Sequence, residues 1–217
     1  PYMLLLFGLR KIDIDSVNAI TATHKSKVVI TGSKDKTLKG WDIKTKKQLF
    51  TLRGHQDEVT AVTVTSDDKL ISGSKDKTLK VWNLKNRKLL FSLTGHDGWI
   101  TAVTVTPDGK QLISSSRHGT IKVWNLETEQ EELPLTGHED KVTAVVITPD
   151  GKHLISASFD KTLKVWDLSS KKVIASFVGE SALTCCAVAP NGVTIVVGEA
   201  SGRIHFLEWE RRHSPIT

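Results

Sequence analysis

The sequence predicts an all-β fold assembled from five copies of one four-stranded unit, and three observations carry that expectation. Four tryptophans, Trp41, Trp82, Trp124 and Trp166, stand 41, 42 and 42 residues apart inside closely similar segments: SKDKTLKGWDI, SKDKTLKVWNL, SRHGTIKVWNL and SFDKTLKVWDL. Between them, short runs of alternating β-branched and polar residues are punctuated by turn signals. No apolar face recurs at the 3.6-residue spacing of a helix over helix length.

The second copy shows the elements in order. Val59–Thr65 alternates valine with threonine or alanine, as a strand does, and stops at Ser66-Asp67-Asp68. Lys69–Ser74 reads as the next strand, Lys75-Asp76-Lys77 as a tight turn, Thr78–Leu84 as a third strand and Lys88–Leu93 as a fourth. The first turn has counterparts at Pro107-Asp108-Gly109, Pro149-Asp150-Gly151 and Pro190-Asn191-Gly192, where proline presets φ and glycine accepts a positive φ. A fifth copy keeps the period but loses the signature: Ala200–Glu208 reads ASGRIHFLE and puts Leu207 where tryptophan is due, 41 residues after Trp166.

Gly54-His55, followed by a strand, an Asp-containing turn and Val81-Trp82-Asn83, resembles the WD40 repeat, and Gly95-His96 and Gly137-His138 open the next two copies. The resemblance covers essentially the whole chain, with several elements recurring at one offset. It implies an all-β WD40 β-propeller of five four-stranded antiparallel blades. The domain is expected over residues 1–210, with repeats at about 3–43, 47–84, 88–126, 131–168 and 171–210 and a C-terminal tail at 211–217. The family also implies a buried hydrogen-bond network in each blade. His55, Ser72, Asp76 and Trp82 match it in repeat two, and His138, Ser156, Asp160 and Trp166 in repeat four. Elsewhere the pattern departs: Lys11-Ile12 replaces Gly-His in repeat one, His118 replaces the turn aspartate in repeat three, and repeat five has Glu180, Val197 and Ser201 for the histidine, serine and aspartate. End repeats are therefore expected to be the least stable.

The phase at which the chain begins predicts how the ring closes. Leu6-Phe7-Gly8-Leu9-Arg10 matches Leu49-Phe50-Thr51-Leu52-Arg53, the outermost strand before a Gly-His. The N-terminal strand is expected to complete the last blade beside Ile204–Leu207 and remove an open sheet edge, giving a closed five-bladed ring, with an open arc and assembly of two partial rings as the alternatives.

Several function classes are disfavoured. Ser, His and Asp recur together, but the trio repeats from blade to blade with its histidine engaged by structure, whereas a catalytic triad needs one cleft with an exposed nucleophile and an oxyanion site. The chain is read as a non-enzyme. His55, His96 and His138 are a whole repeat apart, so neither a metal nor another cofactor is expected. Cys185 and Cys186 are sequence neighbours on a strand, which sets them on opposite faces and disfavours a disulfide; both are read as small buried strand residues. The longest apolar stretch, Met3–Gly8, falls far short of the roughly 20 residues of a spanning helix. No membrane association and a cytoplasmic location are expected.

Function is expected on the loops around the central channel, since the strands are committed to packing. Family analogy points to the residue before the turn aspartate, here Lys34, Lys75, Arg117, Phe159 and Ala200. It also points to those flanking the innermost strand, including Glu58, Trp99 and Lys141, with Thr60, Thr101 and Thr143 two residues on. Trp99 stands where neighbouring repeats carry charge, and Phe159 replaces a lysine or arginine. The partner-binding set is thus Trp99, Phe159, Lys34, Lys75, Arg117, Lys141 and Glu58. Cations with two aromatics suit an acidic or phosphorylated peptide with a hydrophobic anchor. The net charge of +6 and pI near 9.3 agree with an anionic partner, although lysines also serve as solubilising residues on strand edges. The alternative is a sensor or regulatory module fused to or associated with a larger bacterial-type signalling protein. Nucleic acid ranks third, because the lysines are spread around the ring rather than gathered in one stripe.

Overall fold

The structure, a computed structural model, describes residues 15–23 and 27–209, and among these there is no helix. Five antiparallel sheets follow one another along the chain. Blade 1 comprises β1 (Val17–Ala22), β2 (Val28–Ser33), β3 (Thr37–Asp42) and β4 (Gln48–Arg53). Blade 2 comprises β5 (Val59–Val64), β6 (Lys69–Ser74), β7 (Leu79–Asn83) and β8 (Lys88–Leu93). Blade 3 comprises β9 (Ile100–Val105), β10 (Gln111–Ser116), β11 (Ile121–Asn125) and the short β12 (Gln130–Glu131). Blade 4 comprises β13 (Val142–Ile147), β14 (His153–Ser158), β15 (Thr162–Asp167) and β16 (Lys172–Val178). Blade 5 has three strands among the described residues: β17 (Leu183–Val188), β18 (Thr194–Glu199) and β19 (Ile204–Glu208).

Local chemistry explains these boundaries. At the β9–β10 turn the Thr106 hydroxyl donates to Asp108 at 2.6 Å, and the Gly109 N–H donates to the Thr106 carbonyl at 2.8 Å with φ of 71°. Blade 2 makes the same turn with Asp68 at φ 64°, a residue type that tolerates the left-handed region. The fourth strand of blade 3 is short because Pro134 interrupts the segment and offers no N–H; pairing resumes only at the isolated Ile121–Leu135 bridge.

The hydrophobic cores lie between blades. Ile71, Leu79 and Val81 of blade 2 pack with Ile100, Leu112 and Trp124 of blade 3, and equivalent clusters join blades 1 and 2, 3 and 4, and 4 and 5. Each sheet thus buries one face against each neighbour, which suits apolar residues on both pleats of a strand. Side chains on the innermost strands add bonds across three of these junctions. Asn18 donates to the Val59 carbonyl at 3.1 Å, Thr60 to Ile100 at 2.7 Å and Thr143 to Leu183 at 2.8 Å. Blade 3 differs because Ser115 stands where blades 2 and 4 have Gly73 and Ala157, and its hydroxyl pairs with Thr101 at 2.9 Å instead.

The innermost strands pack in succession, β1 on β5, β5 on β9, β9 on β13 and β13 on β17; β17 and β1 do not pack on one another in this way. The expected closing strand at residues 6–10 lies outside the described residues. Both cysteines are free, and they do point to opposite faces. Cys186 sits in the blade 4–5 core, where burial pushes its thiol up to about 12. The expectation that both are buried needs correction: Cys185 is exposed, because it lies on the face of blade 5 turned away from blade 4.

Candidate functional site

In blades 2 and 4 the four scaffold residues form one chain of hydrogen bonds. Asp76 can only accept, so the His55 Nδ1–H donates to it at 2.8 Å, leaving Nε2 to accept from the Ser72 hydroxyl at 2.8 Å. The Ser72 oxygen in turn accepts the Trp82 indole N–H at 2.9 Å. His138, Asp160, Ser156 and Trp166 repeat the arrangement at 2.7, 2.7 and 2.8 Å. Asp76 also accepts from the Gln56 N–H and from the N–H and hydroxyl of Thr78, so both carboxylate oxygens are fully used. Burial works to raise the Asp76 carboxyl, but the bonds from His55, Thr78 and Gln56 outweigh it and hold it well below the usual range; Asp160 is drawn down to about 2 by the same balance. With the serine oxygen between histidine and indole and the histidine side chains 0–1% exposed, the Ser72 and Ser156 hydroxyls are withdrawn from solvent.

The other blades reach similar ends by other means, which the sequence reading missed. In blade 1 the buried Lys39 ammonium pairs with Asp35 in place of a histidine and donates to Thr37 at 3.0 Å, while the Trp41 indole donates to Thr31 at 3.0 Å. In blade 3 His96, Ser114 and Trp124 remain linked at 2.7 and 2.8 Å, and His96 Nδ1 meets the Thr120 hydroxyl at 3.1 Å. Without the aspartate, burial and then the Lys122 charge depress His96 to about 4. In blade 5 Glu199, not Ser201, replaces the turn aspartate. It accepts from the Glu180 N–H, His205 Nε2, Ser181 and Ser201 at 2.8–3.1 Å, and these bonds, that of Ser201 first, hold its carboxyl down near 2. The signal in sequence was a glutamate where the first four blades have Ser33, Ser74, Ser116 and Ser158.

The loop positions named from sequence are brought together in pairs by one repeated backbone bond. The Lys75 N–H donates to the Glu58 carbonyl, Arg117 to Trp99 and Phe159 to Lys141, each at 2.9 Å; Lys34 and Ala200 make the same bond to Ser16 and Ala182. Blades 2, 3 and 4 together form a cavity of about 500 Å³ lined by Lys75, Trp99, Arg117, Lys141 and Phe159, with Thr60, Thr101 and Thr143 at its wall. Arg117 and Lys75 lie 4.6 and 4.9 Å from the centre of the Trp99 ring, and Lys141 lies 5.0 Å from that of Phe159. At 39% and 42% exposed, the two aromatics present surface to solvent.

Two of the named residues sit differently. Glu58 does not line the cavity but pairs with Lys75 at 2.9 Å, neutralising one of its cations. Lys34 is exposed on blade 1 and takes no part in the cavity. Ile100 and Asp140 line it although the sequence did not single them out. A second hollow of about 300 Å³, lined by Lys77, Asp97 and His118, shares Trp99 and Arg117 with the first, so these two side chains stand as a wall between adjoining depressions.

The family model described as WD domain, G-beta repeat, matches residues 13–42, 46–83 and 87–125. A second model, described as TEP-1 C-terminal beta-propeller, matches residues 138–209. No curated protein matches the chain.

Proposed function

Since this chain belongs to the WD40-repeat β-propeller family, whose domains generally act as protein-interaction scaffolds, we propose that it binds an acidic or phosphorylated peptide across Trp99 and Phe159. The observation that carries this reading is the cavity itself, where two half-exposed aromatics are flanked by Lys75, Arg117 and Lys141. A hydrophobic side chain of the peptide packs on the rings. Its carboxylate or phosphate meets the Arg117 guanidinium, whose planar donors suit paired oxygens. Arg117 and Lys141 make no ion pair among the described residues, so their charge is available to a ligand.

An array of acidic, phosphorylated and neutral peptides, probed with the native chain and with Trp99→Ala and Phe159→Ala, tests the reading. Selective capture of the anionic peptides, reduced tenfold or more by either substitution, is expected, as for loss of an aromatic hot spot. Equal capture by native and variant chains refutes the placement. Titrations with duplex and single-stranded nucleic acid at two salt concentrations cover the competing anion, whose binding would fall steeply with salt.

A second reading concerns context. The model matching residues 138–209 is by its description a C-terminal propeller, which supports reading this propeller as one module of a larger protein, where it would serve as a regulatory or sensor part. The same face would then receive its ligand.

A further inference from the structure

The two ends of the array differ from its middle in the exposure of two sheet faces. In blade 2 the cross-strand rows Thr63–Ile71–Val81 and Ala61–Gly73–Leu79–Leu93 face blade 3, and Ile71, Leu79 and Val81 are all 0% exposed. The same rows in blade 5 are Ala187–Val196–Phe206 and Cys185–Gly198–Ile204, and here Phe206 is 75% and Ile204 64% exposed. At the other end, Val59 of blade 2 is fully buried against blade 1, whereas its counterpart Val17 is 47% exposed. Ile20, counterpart of the core residue Val62, is 67% exposed. Val29 and Trp41, which share this side of the sheet with Ala22, line an apolar hollow of about 300 Å³.

These faces are opposite halves of one kind of junction. Four times within the chain a face of the blade 5 type, rich in isoleucine, leucine and valine on the second and third strands, receives a face of the blade 1 type, led by the first residue of the inner strand. We propose that the bare face of blade 5 receives the bare face of blade 1 from a second copy of this chain, so that molecules associate head to tail through a fifth junction of the same design. A second copy is favoured over an unrelated partner because this chain carries both halves, at the residue positions that already pair inside it. Size complementarity points the same way: Phe206 is bulkier than Val81, Val123 and Val165, and the blade 1 face offers the Val29–Trp41 hollow. Bare apolar surface of this kind is unusual on a monomer. The contact is heterologous, so it closes into a ring or extends, according to its rotation.

Sedimentation velocity at roughly 1 to 100 µM, a range that covers weak specific interfaces, tests this. The native chain is expected to exceed the 23.9 kDa monomer increasingly with concentration. Phe206→Asp and Ile20→Asp each remove one half of the junction and should each be monomeric. Mixed in equal amounts they should form a dimer and nothing larger, because only one intact junction can then be made. Both positions are exposed, so folding should survive, and tryptophan emission of each variant checks that it has. Three results would overturn the proposal: a native chain that stays monomeric throughout, association that survives both substitutions, or a mixture that remains monomeric. A monomer whose melting temperature drops on removal of residues 1–10 would instead point to closure within one chain.

Discussion

Blades 2 and 3 are built on the same frame around different turns, and the contrast separates what the buried network needs from what it merely uses. Both link a histidine, a serine and a tryptophan, His55–Ser72–Trp82 and His96–Ser114–Trp124, at nearly identical distances. Blade 2 adds Asp76, which ties the histidine to the Gln56 N–H and to Thr78. Blade 3 has His118 there, turned outward with 57% of its side chain exposed and 3.6 Å from Asp97. The serine bridge therefore sets the geometry of histidine and indole, and the aspartate adds a charged anchor for the turn. Relieved of that duty, the blade 3 turn lies at the edge of the proposed binding surface, beside Trp99 and Arg117.

The largest effect that breaks this comparison is loss of the anchor. Asp76→Ala strands the His55 Nδ1–H, the Gln56 N–H and the Thr78 hydroxyl in a nearly buried site and should cost about 3 kcal/mol. His118→Ala, at the equivalent position of blade 3, removes an exposed side chain and should stay within about 0.5 kcal/mol. Urea unfolding midpoints of the two variants check the pair. A comparable loss in both would mean that the turn position matters irrespective of the carboxylate.

Acid should act on the fold through blade 3. His96 is held to about 4 in the folded chain against an ordinary value of 6.5. Between those values the unfolded chain holds the proton and the folded chain does not, so stability falls as the pH is lowered from about 6.5 to about 4. Over that window the loss approaches about 3 kcal/mol from this group. His138 is lowered too, by burial first, with Asp160 opposing it, and contributes in the same direction. His96→Gln should flatten the pH dependence of the urea midpoint across this window; an unchanged slope would assign the acid sensitivity elsewhere.

Much of the frame was legible in the chain. The tryptophan period and the turn signals located the strands of blade 2 to within a residue or two at each end, and the offset rule brought Lys75, Trp99, Arg117, Lys141 and Phe159 to one cavity. Substitutes for lost network residues were not legible. Lys39 and Glu199 reach the vacated positions from different backbone sites, one on the third strand and one at the end of the second, so matching by position named Ser201 and overlooked both. Position alone placed Glu58 beside the surface but did not show that its carboxylate pairs with Lys75. The exposed end faces were also hidden, since Ile204, Phe206, Val17 and Ile20 read as ordinary strand residues, and only the arrangement of the described blades shows them turned away from a neighbouring sheet.

A modest expected gain sharpens the comparison by converting one blade toward the other. The blade 3 turn already matches that of blade 2: the His118 N–H donates to Ser116 at 3.2 Å as the Asp76 N–H does to Ser74 at 3.0 Å, and Gly119 holds the positive φ that Lys77 holds. Thr120 stands where Thr78 stands, already in contact with His96. His118→Asp therefore places a carboxylate where it can accept from His96 Nδ1 without a change of backbone. A neighbouring negative charge favours the protonated imidazole, so the His96 pKa should move up from about 4 and the acid-sensitive window should narrow. The gain at neutral pH should be about 1 kcal/mol, the scale of one added hydrogen bond to a charged group set against the burial of that charge. Histidine ring resonances followed through a pH titration would read the shift directly. A His96 that titrates unchanged beside Asp at position 118 would show that the carboxylate does not reach it, and that blade 3 departs from blade 2 in its backbone as well as in its side chain.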